Sequence, residues 1–169
     1  LLDRAGAIVV AEPTANYPLV GHKGALWLDV TTRGVTAHGS MPERGDNAIY
    51  KAAAAIEKLR AFDFAAAPHA LMGSPTLNVG TVHGGLNINS VPDSTVIGVD
   101  IRTLPGQDHA EIRARLERLL GEAVELTPTI DVGSIYSDPG EPWIQHVFDV
   151  TQAHLGARPV AKTATYFTD

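Results

Sequence analysis

Apolar and polar side chains alternate with a period of two along some stretches of this chain and recur at helical spacing along others. The order of those stretches predicts the fold. Across 25–33, Leu26, Leu28 and Val30 fall on one side and Trp27, Asp29, Thr31 and Arg33 on the other, the pattern of a half-buried strand. From Asp46 the period lengthens: Ile49, Ala52 or Ala53, Ile56 and Leu59 make the stripe of an amphipathic helix, with Asp46 or Asn47 as its N-cap. Alternation returns over 76–83, with Leu77, Val79 and Thr81 together, and over 95–102, with Ile97, Val99 and Ile101 inward and Asp100 and Arg102 outward. After Pro105, Asp108 with Glu111 three residues on forms a capping box for a helix whose stripe is Ile112, Leu116 and Leu119, and Val124 to Ile130 makes a last strand. Strand, helix, strand, strand, helix, strand from 24 to 131 is the order of an α+β ferredoxin-like βαββαβ sandwich: a four-stranded antiparallel sheet with two helices on one face.

The flanks have another character. Gly6 to Ala11 is a continuous apolar run closed by Glu12-Pro13, the pattern of a strand buried on both faces. Past the turn at Asp138-Pro139-Gly140, Trp143, Val147, Val150 and Leu155 have roughly helical spacing, Gly156 is a stop, and Pro159 to Tyr166 reads as another strand. The expectation is a sandwich at 21–131 inserted into an α/β catalytic domain, of which 1–20 and 132–169 are flanking pieces. A start at Leu1 and a stop at Asp169, straight after a strand-like run, suggest a section of a longer chain. The alternative is a non-catalytic ferredoxin-like module for dimerisation or small-molecule binding, whose core the flanks complete.

Composition narrows the function. Thirteen Lys and Arg against nineteen Asp and Glu, a formal charge of −6, leave no broad basic footprint for nucleic acid. The absence of cysteine excludes disulfides, thiolate metal sites and a cysteine nucleophile, and is compatible with a cytoplasmic location. No apolar run approaches the ~18 residues that cross a bilayer, so no membrane partner is expected.

Four residues stand where chemistry could occur. Glu12, at the end of the first apolar run, could bind a metal or simply be a loop carboxylate. His38, in the small-residue loop Gly34–Pro42, could donate to an oxyanion or move a proton. Asn89, in Gly84–Pro92, could hold a substrate carbonyl or close an Asx turn. Arg102 could fork onto a substrate carboxylate, or onto Asp100 two residues back. His22-Lys23 and His109 read as solvated surface. No Gly-x-Ser-x-Gly elbow or phosphate loop is present.

Taken together, Val9-Val-Ala-Glu-Pro-Thr14, Lys23-Gly24 and Trp27, Gly34-x-x-Ala-His38-Gly-Ser-x-Pro42-x-x-Gly45-x-Asn47-Ala-Ile49, Leu77-Asn-Val-Gly80, Gly84-Gly85, Asn89-x-Val-Pro92 and Val99-Asp-Ile-Arg102 resemble the dinuclear zinc metallopeptidase and amidohydrolase family. Acetylornithine deacetylase, succinyl-diaminopimelate desuccinylase, carboxypeptidase G and the aminoacylases are among its members. The resemblance implies a hydrolase of N-acyl amino acids or short peptides with two zinc ions, or cobalt or manganese in their place, that is a homodimer through the inserted lid. It implies Glu12 as a metal ligand, His38 as the oxyanion donor reaching into the partner's active site, and Asn89 and Arg102 as substrate-holding groups. The family's upstream His-x-Asp, bridging Asp, Glu pair and final His have no counterparts here, so this section alone is expected to hold no zinc stably and to be inactive. Tyr166-Phe167-Thr168-Asp169 also departs from the glycine-rich turn that relatives often show.

Overall fold

The protein, described here over residues 6–168 in a computed structural model, is built around the alternating strands read above. A two-residue strand β1 (Gly21–His22) leads into β2 (Gly24–Arg33), then α1 (Ala48–Arg60), β3 (Thr76–Gly84), β4 (Ser94–Thr103), α2 (His109–Leu120) and β5 (Val124–Val132). A second two-residue strand, β6 (Ile135–Tyr136), pairs back with β1, and α3 (Pro142–Leu155) follows. The main sheet has the order β3-β4-β2-β5 with all neighbours antiparallel. Together with α1 and α2 on one face, this is the ferredoxin-like sandwich that the element order predicts.

The core lies between that face and the two helices. Leu26, Leu28 and Val30 from β2 and Ile97, Val99 and Ile101 from β4 meet Ala52, Ala55 and Leu59 of α1 and Ile112, Leu116 and Leu120 of α2. Each large side chain so buried contributes about 1.5–3 kcal/mol of transfer free energy, and the two central strands supply six of them. Asn47 caps α1 by accepting from the N–H groups of Ile49 and Tyr50, and Asp108 caps α2 by accepting from that of Ala110. Gly156 ends α3 in the left-handed conformation.

Five expectations change. Both helix stripes are rotated: α1 buries Ala48, Ala52, Ala55 and Leu59 and leaves Ile49 partly exposed, and α2 buries Leu120 in place of Leu119. Small alanines let α1 approach the sheet closely, which period alone does not reveal. In β3 a bulge at Gly80 opposes Thr81 to Gly98, so Thr81 faces away from the helices, opposite to Leu77 and Val79. Residues 6–11 form no strand; Ile8, Val9 and Val10 are 60%, 72% and 50% exposed, because no neighbouring strand among the described residues offers them a ladder. Pro159–Tyr166 forms no strand: it bends at Thr165 and Tyr166 and lies along β1 through one bridge at Ala164, bonded to Gly21 and from Lys23, and a bond from Val20 to Lys162. Finally His22, Lys23 and His109 are 5%, 6% and 9% exposed, so none is solvated surface.

The last reversal has a traceable cause. A second bulge, at Thr129 between the pairs Leu28↔Pro128 and Trp27↔Ile130, shifts the register of β5 and sets Asp131 opposite Leu26, on the helix face. There Asp131 accepts a 2.6 Å hydrogen bond from Nδ1 of His109, whose Nε2 meets Thr103 Oγ at 2.8 Å.

Candidate functional site

The loop carrying His38 is closed at its base by backbone alone. Val35 and Asp46 exchange N–H···O bonds of 2.8 and 2.9 Å, and a side chain on Gly34 would overlap the Asp46 carbonyl. At its tip the loop pairs with the segment following β3: Gly39 N–H donates to the Asn89 carbonyl at 2.7 Å, Val91 N–H to Ala37 at 2.8 Å, and His38 faces Ser90 in an antiparallel bridge. A Cβ on Gly39 would stand 3.0 Å from the Asn89 oxygen, so glycine permits this approach. His38 and Asn89 are thereby brought side by side, both exposed. Sequence reasoning passed over Ser40, whose hydroxyl lies 2.7 Å and whose N–H lies 3.2 Å from His38 Nδ1.

Arg102 lies elsewhere. Ser94, next to the His38 loop, pairs with Arg33, whereas Arg102 pairs with Ala25 and Thr76 at the other end of β4, roughly 27 Å away at ~3.4 Å per residue. Its guanidinium forks onto Asp100, at 2.8 Å from Nε and 3.0 Å from Nη2, on the sheet face away from the helices. Trp27 Nε1 donates to the same carboxylate at 3.0 Å, and the Phe167 ring meets Trp27 edge-on with Arg102 5.6 Å from its centroid. The Nη1 atom of Arg102 is buried without a partner.

Glu12 is half-buried in the incoming segment, which reaches the sandwich through β1, at the Arg102 end. Among the described residues no three His, Asp or Glu side chains are grouped as a metal ion needs. Glu12 thus provides one potential ligand, and the described residues do not by themselves fit a metal centre.

Where β1 meets β2, Lys23 donates a 2.6 Å hydrogen bond to the Ser74 carbonyl, and burial pushes its ammonium pKa below the usual 10.5. No helix among the described residues is long and apolar enough to cross a membrane.

Residues 20–128 match a family described as the peptidase dimerisation domain of the M20 group. A probable succinyl-diaminopimelate desuccinylase of Staphylococcus epidermidis is 28% identical over 178 residues, covering 86% of this chain and 43% of that protein. An acetylornithine deacetylase of Photorhabdus laumondii is 29% identical over 170 residues, covering 95% of this chain and 44% of its own length. The chain therefore spans less than half the length of these curated relatives. Among solved structures, an M20 family metallo-carboxypeptidase of Sulfolobus solfataricus superposes with a TM-score of 0.71 at 16% identity, over 89% of this chain and 47% of that one, a likeness of fold.

Proposed function

Since the chain belongs to the M20 peptidase dimerisation-domain family, we propose that it forms the dimerising lid, with adjoining pieces of the catalytic body, of a cytoplasmic zinc-dependent amide hydrolase. Its substrate is an N-acyl amino acid or short peptide with a free carboxylate. The deacetylase and desuccinylase group is favoured over aminopeptidases by the curated relatives. In this reading Glu12 is one metal ligand, completed by residues outside the described set, and a bound zinc pair would polarise the amide carbonyl. His38 donates to the oxygen that gains charge, Asn89 steadies the substrate carbonyl, and Arg102 holds the substrate carboxylate.

The separation of the two ends of β4 carries the proposal. The incoming and outgoing flanks join the sandwich at the Arg102 end, while His38 and Asn89 project from the other. One copy cannot apply both ends to one small substrate, but two copies paired antiparallel about a two-fold axis can. The sheet edges support such pairing: both carry a bulge, at Thr129 in β5 and at Gly80 in β3, but β5 is further interrupted by Pro128, whereas the β3 edge carries no proline and adjoins α1, whose Tyr50 is 75% exposed. The alternative of a stand-alone module would have both flanks complete the sandwich core; residues 6–11 are exposed instead, while the second flank touches the sandwich through Phe167 on Trp27.

Mixing two inactive variants tests this directly. Hydrolase dimers carrying His38→Ala in one subunit and Arg102→Ala in the other retain one intact shared site, so a random mixture recovers about a quarter of the wild-type rate. Absence of recovery above the separate variants would overturn the shared-site reading.

A further inference from the structure

Four histidine rings can be sorted by what meets Nδ1. The Lys23 carbonyl lies 2.9 Å from His22 Nδ1, and Asp131 Oδ1 lies 2.6 Å from His109 Nδ1. A carbonyl and a carboxylate only accept, so both of these rings carry a proton on Nδ1. His69 Nδ1 faces the N–H groups of Leu71 and Met72 at 3.2 and 3.3 Å, and a backbone N–H only donates. The neutral His69 ring therefore carries its proton on Nε2. His38 belongs with His69: the Ser40 N–H points at its Nδ1 from 3.2 Å and the Ser40 hydroxyl from 2.7 Å.

We propose that Ser40 is a positioning residue for His38, holding the imidazole as the Nε2–H tautomer so that its outward edge presents a hydrogen-bond donor. The consequence for catalysis rests on the oxyanion role given to His38 above. In that tautomer Nε2–H can donate to an oxygen gaining negative charge; in the other, the Nε2 lone pair would face that oxygen and repel it. The backbone N–H cannot accept and so favours this direction, but from 3.2 Å it is the longer and weaker contact. The hydroxyl rotates freely and adds the shorter bond by donating to the same lone pair. The backbone on both sides of the ring is fixed, since Gly39 is pinned to Asn89 and the Met41 N–H donates to the His38 carbonyl at 2.9 Å.

Nitrogen-15 imidazole spectra of the full chain at about pH 8, above the ~6.5 of an ordinary imidazole, read the tautomers directly. His38 and His69 are expected protonated at Nε2, and His22 and His109 at Nδ1. In Ser40→Ala the His38 ring shifts toward a mixture while the other three hold, and Ser40→Thr restores it. In the hydrolase Ser40→Ala lowers kcat by roughly threefold to tenfold with KM unchanged, less than the ~10²-fold or more of losing the donor outright. Protonation of wild-type His38 at Nδ1, or a His38 signal indifferent to Ser40→Ala, would overturn the proposal; the wild-type spectrum decides even where a variant fails to fold. If the tautomer responds as expected but His38→Ala leaves turnover intact, the oxyanion reading fails and the tautomer control by Ser40 stands.

Discussion

The two ends of the sheet hold their polar side chains in opposite ways. At the His38 end, backbone bonds between Val35 and Asp46 and between Gly39 and Asn89 fix the loops, and the side chains of His38 and Asn89 stay exposed. At the other end the side chains themselves make the structure: Arg102, Asp100 and Trp27 join one another across β2 and β4, and His109 joins Asp131 and Thr103. A loop held by its own peptide groups leaves its side chains available to a ligand. A face held by ion pairs commits most of its donors, so substitutions at the first end should cost activity alone, and those at the second stability as well.

The largest effect is expected at the first end. His38→Ala lowers kcat of the hydrolase by ~10²-fold or more while leaving the urea midpoint unchanged. Turnover within about threefold of wild type would remove His38 from the oxyanion role. At the other end, Asp100→Ala strands the Arg102 guanidinium and the Trp27 N–H. Both partners keep some solvent access, so the stability loss is about 1 kcal/mol, visible in urea denaturation. A midpoint equal to wild type would mean that the Asp100 cluster adds nothing to the fold.

The smallest effect concerns Lys23 at the junction. Its folded pKa lies below 10.5, so between that depressed value and 10.5 the unfolded chain binds more protons than the folded one. Stability due to Lys23 therefore rises with pH through that window, and the cost of burying the charge is fully present below it. Wild type should gain stability relative to Lys23→Met as the pH is raised toward 10.5. A flat difference between the two proteins across alkaline pH would contradict the burial of a charged ammonium.

Much of this was legible residue by residue. The alternation in Leu26-Leu28-Val30 and Ile97-Val99-Ile101 marked the two central strands and their inner face, and Asn47, Asp108 and Gly156 marked helix ends. The spacing around His38, Asn89 and Arg102 pointed to the family that residues 20–128 match. The fork of Arg102 onto Asp100 was one of the two readings the linear chain offered, but the chain did not reveal that Thr81 turns outward, that His109 is buried, or that Arg102 lies at the end of β4 away from His38.

Periodicity, caps and turn residues act within a few positions along one chain, and so they specify the kind and order of the elements. Which side of an element is covered, and which polar groups meet, was decided only in the tertiary structure. A bulge such as Gly80 or Thr129 exists only relative to the strand it pairs with, and one extra residue there moves every later side chain to the opposite face. The apolar run 6–11 teaches the same from the other direction: its hydrophobicity allows a buried strand, but only neighbouring strands can make it one.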